Sequence, residues 1–241
     1  MSRRFVKSLV LSVSLIACRA SDDPAEGEVV ELAAPMTPPA VAPQPPANVG
    51  PPDPPANPQL LQAGADETAP AEYRVVFDTT RGPIEIAVHR SWSPKGADRF
   101  YTLVRRGYFT NVAFFRVVRG FMAQFGMHGN PAVNEVWRAR TLEDEPVTQS
   151  NLRGRITFAK TGAPDSRSNQ FFINFVDNAN LDAMGFSPFG EVKPEHLATV
   201  DRINAEYGER PNQGLFGQRG NAYLRESFPN VDYIRSATIA E

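Results

Sequence analysis

The stretch FFRVVRGFMAQFG, residues 114–126, carries the most informative pattern of the sequence, two strand-like parts separated by a glycine. Residues 114–118 are rich in the aromatic and β-branched residues that favour strands, and residues 122–125 are predicted as a second short strand. Taken alone, Arg116 is typical of an arginine on the surface of a strand. Gly-Phe-Met-x-Gln follows at residues 120–124, four residues after Arg116.

Segments of the same strand-like kind lie on both sides of this stretch. They cover residues 73–78, 84–88, 156–159, 171–175, 189–192 and 233–239, and turn residues at 80–83 join the first two as a hairpin. Ser93 before Pro94 predicts the start of a helix that ends at Gly107. A second helix is predicted over residues 199–207. Many short strands with two helices fit an antiparallel barrel better than a parallel α/β sheet.

Composition divides the 241 residues into unlike parts. Residues 19–72 hold 13 of the 22 prolines and no aromatic residue, with a formal charge of −8. Such a segment cannot bury enough apolar surface to offset its ordering entropy, so we predict a disordered tether. Residues 73–241 have a formal charge of +3, and their basic residues are scattered among acidic ones. We therefore expect one globular domain and no nucleic-acid partner.

The N-terminus, MSRRFVKSLVLSVSLIAC, has the features of a bacterial export signal. Its uncharged run of ten residues is too short to span a membrane as a helix. Leu15-Ile16-Ala17-Cys18 resembles the lipobox, in which the cysteine receives a diacylglyceryl group. An ordinary signal peptide or a short buried helix are the alternatives. Arg19 follows the cysteine, and the absence of Asp there favours the outer membrane, facing the periplasm, in a Gram-negative cell.

These observations predict three regions. Residues 1–17 form a lipoprotein signal peptide, residues 18–72 form the proline-rich acidic tether, and residues 73–241 form the folded domain. The membrane would be a partner only through the lipid on Cys18.

Three segments of the domain resemble the cyclophilin family. They are residues 114–126, then GRITFAKTGAPDSRSNQFFINF at 154–175, and LDAMGFSPFGEV at 181–192. The resemblance implies a mainly β fold, a closed eight-stranded antiparallel barrel capped by two helices. It also implies a peptidyl-prolyl cis/trans isomerase that acts on proline-containing polypeptides and assists the folding of envelope proteins.

The resemblance assigns roles to residues one by one. Arg116 matches the catalytic arginine, and Gln124 matches the residue that binds the substrate backbone. The remaining matches are to positions of the substrate groove: Phe121, Met122, Ala159, Gln170, Phe172 and Leu181. The chain departs from the family pattern at three places, where Lys160 replaces an asparagine, Asn180 replaces a tryptophan, and Phe186 lies nearest to a missing histidine. We still expect Lys160 and Phe186 to belong to the substrate-binding groove, with Phe186 as an apolar wall.

Rotation about a peptide bond needs no nucleophile and no metal, and we expect neither a cofactor nor a metal site. His89, His128 and His196 lie far apart and show no ligand spacing. We expect a monomer with a flexible loop over residues 208–220 near the groove. Two alternatives stay open at this stage, a peptide-binding scaffold with slow turnover and a chaperone that holds unfolded clients.

Overall fold

The computed structural model describes residues 50–54, 57–62 and 64–240. Within these ranges one antiparallel sheet of nine strands forms the body of the molecule, in the order β3-β9-β1-β2-β8-β6-β7-β5-β4. The strands are β1 Glu72–Thr79, β2 Gly82–His89, β3 Val112–Ala113, β4 Arg116–Val118, β5 Met122–Phe125, β6 Arg155–Phe158, β7 Phe171–Asn174, β8 Pro188–Val192 and β9 Tyr233–Ala240.

Short helices cover the ends and one side of the sheet. In the described residues they are α1 Pro58–Leu61, α2 Pro94–Arg105, α3 Pro131–Arg138, α4 Leu197–Asp201, α5 Gln213–Arg219 and α6 Asn221–Ser227, with 3₁₀ turns at Ala179–Met184 and Pro194–His196. None of the helices in the described residues is both long and apolar enough to cross a bilayer.

The sheet is curled but open, so the prediction of a closed eight-stranded barrel is wrong. Its two edges are β3 and β4; the strand predicted over residues 114–118 contains β4 in its second part, whereas β3 lies just before it. Phe114 packs into the main core, whereas Phe115 packs against Phe216 of α5. The strand pairing changes partners at these two residues, with β3 paired to β9 and β4 paired to β5.

The helices also differ from the prediction of two. The first matches α2, but the Ser93 side chain makes no capping bond to the helix. Glu145 takes that role, since its carboxylate accepts from the backbone N–H of Lys95 at 2.7 Å and of Gly96 at 3.2 Å. The second ends at Asp201 rather than at residue 207. The loop predicted over 208–220 contains α5, which begins where the Asn212 side chain accepts from the N–H of Leu215.

A cluster of phenylalanine rings fills the core on one face of the sheet. Phe171 of β7 lies at its centre, with ring-centroid distances between 4.4 and 6.1 Å to its neighbours Phe158, Phe125, Phe100, Phe109 and Phe189. Aromatic pairs at such separations add to the stabilisation from buried area alone. Because side chains alternate along a strand, the residue next to Phe171 must face the opposite side.

The described residues before β1 contact the domain. Leu60 of α1 is only 2% exposed, and its carbonyl accepts a hydrogen bond from Trp137 Nε1 at 2.9 Å. Asp66 forms an ion pair with the buried Arg99 at 2.8 Å. The predicted signal peptide, Cys18 and most of the predicted tether lie outside the described residues.

Phe171→Ala is expected to lower the free energy of unfolding by about 3–5 kcal/mol, because it leaves a cavity among the rings that the core cannot close. Urea titration followed by tryptophan fluorescence measures this change. Leu152→Ala is the control, since Leu152 is 39% exposed and its truncation should change stability by less than about 0.5 kcal/mol. Equal losses in the two variants would contradict this description of the core.

Candidate active site

Strand register brings three side chains of the site into one row. Arg116 of β4 pairs with Gln124 of β5, and Gln124 pairs with Phe172 of β7. Residues in register on neighbouring antiparallel strands point to the same face, with Cβ atoms about 5 Å apart. The row lies on the face opposite the phenylalanine core, and Met122 joins it two residues before Gln124.

The turn between β4 and β5 contributes one wall of the site. Gly120 adopts a φ of 74°, in the left-handed region that glycine enters without steric cost. The next residue is Phe121, whose carbonyl accepts from the N–H of Phe175 at 2.9 Å. This bond fixes the turn against the end of β7, so the Phe121 ring stands beside Met122 and Arg116.

Several contacts orient the guanidinium of Arg116. Nη1 donates to Gln124 Oε1 at 3.1 Å and lies 3.8 Å from the sulfur of Met122. The Phe121 ring centroid is 5.8 Å from the guanidinium carbon, within cation–π range. Nε donates to Glu209 Oε1 at 2.8 Å, and Nη2 contacts the same oxygen. The arginine therefore has a defined orientation although its side chain is 28% exposed.

Gln124 has its amide orientation set by a second glutamine. Its Nε2 donates to Gln170 Oε1 at 2.8 Å, which leaves its Oε1 for Arg116. The backbone carbonyl of Gln170 in turn accepts from the N–H of Ala159 at 2.9 Å. Arg116, Gln124 and Gln170 thus form a connected polar edge beside an apolar floor.

The apolar floor consists of Met122, Phe172 and Leu181, which form a buried cluster separate from the main core. Phe186 packs edge-on against Phe172 with ring centroids 5.8 Å apart. The 3₁₀ turn Ala179–Met184 brings Leu181 and Phe186 together, and the N–H of Phe186 donates to the carbonyl of Leu181 at 3.3 Å. This cluster is suited to hold a compact apolar ring.

Buried asparagines, which the sequence analysis did not identify, hold the backbone of these walls. Asn178 Nδ2 donates to the carbonyl of Phe121 at 3.0 Å, and Asn151 Nδ2 donates to the carbonyl of Phe186 at 2.9 Å. Asn151 also donates to Asp182. Burial tends to raise the pKa of Asp182, but hydrogen bonds from Ser150 and Asn151 lower it overall. The two walls are therefore connected by polar groups beneath the apolar surface.

Lys160 lies at the rim, but its charge is already paired. Its Nζ is 3.2 Å from Asp144 Oδ2, and its side chain is only 11% exposed. Burial tends to raise the pKa of Asp144, but hydrogen bonds from the N–H of Asp165 and from Lys160 outweigh it and lower the pKa. The neutralised pair offers little net charge to a ligand in the groove.

A single cavity of about 540 Å³ brings together all ten residues predicted from the sequence for the site. They are Arg116, Phe121, Met122, Gln124, Ala159, Lys160, Gln170, Phe172, Leu181 and Phe186. The cavity is also lined by residues that sequence reasoning missed: Arg138, Thr161, Ser166, Ser168 and Gln213. Thr161, Ser166 and Ser168 lie within the segment 154–175 quoted above, which assigned no role to them. Arg138 of α3 and Gln213 of α5 lie outside all three segments and reach the cavity only through the fold.

The described residues contain no group of three or more histidine, cysteine, aspartate or glutamate side chains that could hold a metal ion. His128 is buried, and burial lowers its pKa to about 4. It packs against Tyr108 rather than lining the cavity. The site thus combines a fixed cation, two amides and an apolar pocket, a set that can bind and polarise an amide without covalent chemistry.

Comparisons with known proteins agree with this geometry. The family model described as cyclophilin type peptidyl-prolyl cis-trans isomerase/CLD matches residues 74–215. Peptidyl-prolyl cis-trans isomerase B of Escherichia coli is 30% identical over 176 residues, which cover 69% of this chain and 99% of that protein. Peptidyl-prolyl cis-trans isomerase A of Dickeya dadantii is 33% identical over 140 residues, covering 56% of this chain and 73% of that protein.

Solved structures show the same fold. A cyclophilin-type isomerase of Cryptosporidium parvum superposes with a TM-score of 0.54 and 22% identity, over 70% of this chain and 98% of that chain. A second structure of that protein was obtained in the presence of the dipeptide Ala-Pro, and it superposes with a TM-score of 0.53 and 21% identity, over 70% of this chain and 99% of that chain.

Lys160→Met is expected to raise the pKa of Asp144 towards its ordinary value, because it removes a hydrogen bond and a positive charge from that carboxylate. Titration of the carboxyl carbon by NMR measures the change. Lys193→Met is the control, since Lys193 pairs with Glu85 and should leave Asp144 unaffected. An unchanged pKa in Lys160→Met would show that the rim lysine is not neutralised in this way.

Proposed function

The chain belongs to the cyclophilin-type peptidyl-prolyl cis/trans isomerase family, and from that premise we propose which residues carry the activity and where the protein works. We assign Arg116 as the catalytic residue for rotation of Xaa-Pro bonds. The pocket of Phe121, Met122, Phe172 and Leu181 receives the proline ring. The observation that carries this assignment is the fixed guanidinium beside an apolar pocket in one cavity.

The reaction requires stabilisation of a twisted amide and no change of covalent bonds. Resonance gives the peptide bond a rotational barrier of about 18–20 kcal/mol. As the bond twists, its nitrogen becomes pyramidal and regains a lone pair. An enzyme accelerates rotation when it binds this twisted state more strongly than either planar state.

Arg116 is suited to stabilise the twisted state. An arginine guanidinium stays protonated in proteins, so Arg116 donates a hydrogen bond without losing a proton. A hydrogen bond to a charged group contributes about 1.5–3 kcal/mol net. A 10⁵-fold acceleration needs about 7 kcal/mol, so the pocket has to supply the rest.

The pocket supplies the rest of the transition-state stabilisation by fixing one side of the Xaa-Pro bond and leaving the other side free to turn. The apolar cluster that contains Phe172 binds the proline ring. Gln124, which is oriented by Gln170, binds the adjoining backbone of the substrate. One side of the amide is then fixed, and the other turns past Arg116. The related Cryptosporidium protein, studied with Ala-Pro, supports the choice of a proline dipeptide as the minimal ligand.

Arg116→Ala is expected to lower kcat/KM for a short Ala-Pro-Phe peptide by about 10- to 100-fold, the equivalent of one charge-assisted hydrogen bond. A protease-coupled assay on the full chain in detergent measures the isomerisation rate. Arg116→Lys keeps the charge but loses the planar fork, and it should recover only part of the loss. If Arg116→Ala isomerises the peptide as fast as the parent, the catalytic assignment is wrong.

We also propose that the isomerase is anchored by a lipid on Cys18 and serves proteins of the bacterial envelope. The lipobox-like sequence at 15–18 supports the anchor, and Arg19 after it favours the outer membrane facing the periplasm. The proline-rich residues between Cys18 and the described part would act as a spacer, since proline favours extended chain. Its clients would then be envelope proteins whose folding is limited by the rate of proline isomerisation.

Cys18→Ser is expected to abolish incorporation of labelled palmitate and to release the protein from the membrane fraction, because the hydroxyl cannot accept the thioether-linked lipid. Metabolic labelling and fractionation of a Gram-negative host measure both results. The isomerase activity of the released protein serves as the control for folding. Label retained by Cys18→Ser would contradict the proposed anchor.

A further inference from the structure

A segment outside the strands, residues 204–230, forms one side of the site, and we call it the rim segment. It contains α5 and α6 and packs with its own apolar cluster around Phe216 and Leu224. Its ends are held together, since Asn204 Nδ2 donates to the carbonyl of Asn230 at 2.8 Å. The rings of Tyr207 and Phe228 also pack edge-on, 5.1 Å apart. The rim segment is thus packed as part of the folded domain.

A backbone hydrogen bond aligns the rim segment with β4. The N–H of Val117 donates to the carbonyl of Gly208 at 3.3 Å. The residues next to these two are Arg116 and Glu209, so the bond places their side chains side by side. Gly208 supports this alignment, because its φ of 55° turns the chain sharply before Glu209.

Glu209 and Gln124 hold opposite edges of the same guanidinium. Glu209 Oε1 accepts from Nε of Arg116 at 2.8 Å and also contacts Nη2, whereas Gln124 Oε1 accepts from Nη1. Arginine has five N–H donors, and these contacts, together with Met122, leave one N–H of Nη2 uncommitted. That donor remains for the substrate while the group keeps its orientation.

From this geometry we propose that Glu209 is a positioning residue for the isomerisation, an inference that rests on the function proposed above. A free arginine side chain samples many rotamers and must lose that freedom each time it meets the twisted amide. Glu209 removes part of this cost beforehand by holding Arg116 in the orientation required in the transition state. It contributes to turnover through Arg116 and need not touch the substrate.

Glu209→Gln tests the proposal in the full chain, with kcat and KM determined separately. The expected result is a fall in kcat of about three- to tenfold with KM changed less than twofold, because the pocket that binds the proline ring is intact. The double variant Arg116→Ala with Glu209→Gln should be no slower than Arg116→Ala alone, since both act through one group.

A matched control lies in the same rim segment. Glu226 pairs with Arg219 at 2.5 Å, and its side chain is 63% exposed, against 64% for Glu209. Glu226→Gln should leave both kcat and KM unchanged. Thermal unfolding of the two variants shows whether either substitution acts through stability, and similar Tm values are expected.

NMR supplies a readout that does not depend on turnover. The Nε–H signal of Arg116 should be resolved and slow to exchange in the parent and lost in Glu209→Gln. If Glu209→Gln matches the parent in kcat, or raises it, the positioning role is overturned, and a rise would mean that the carboxylate competes with substrate. If the parent itself shows no isomerase activity, the proposed function fails instead, and this inference falls with it.

Discussion

The register of β4, β5 and β7 is the constraint on which the site depends. It places Arg116 opposite Gln124 and Gln124 opposite Phe172, so that a cation, an amide and an apolar ring face the same side. A slip of one residue would turn Phe171 outward and draw Phe172 into the core. The phenylalanine cluster on the opposite face of the sheet therefore holds the strands of the site in register, because any shift would break the packing of its rings.

Polar contacts then fix the orientation of the groups that the strand register brings together. Asn151 and Asn178 hold the backbone of the two apolar walls, while Gln170 orients Gln124. A catalyst of bond rotation needs this rigidity, since it must hold one side of an amide still while the other side turns. The energy available from Arg116 alone is too small, and rigid walls allow binding energy to be used on the twisted state.

Much of the fold and the site could be predicted from the sequence. The β1–β2 hairpin follows from local alternation and its turn residues, and the segment around Arg116 has the spacing on which the resemblance rests. Long-range features could not be predicted. Nothing near Arg116 indicates Glu209, which lies 93 positions later. The open edge of the sheet was not predicted either, because the strand-like sequence continues through Phe114 and Phe115 while β3 pairs with the distant strand β9 and β4 pairs with β5.

In the proposed mechanism, Arg116 stabilises the twisted state rather than merely binding substrate. Exchange NMR on a proline peptide saturating the protein measures the cis–trans interconversion rate on the enzyme separately from affinity. In Arg116→Met we expect affinity within about threefold of the parent and an interconversion rate at least about tenfold slower, equivalent to 1.4 kcal/mol or more. An unchanged interconversion rate with weakened affinity would contradict the account.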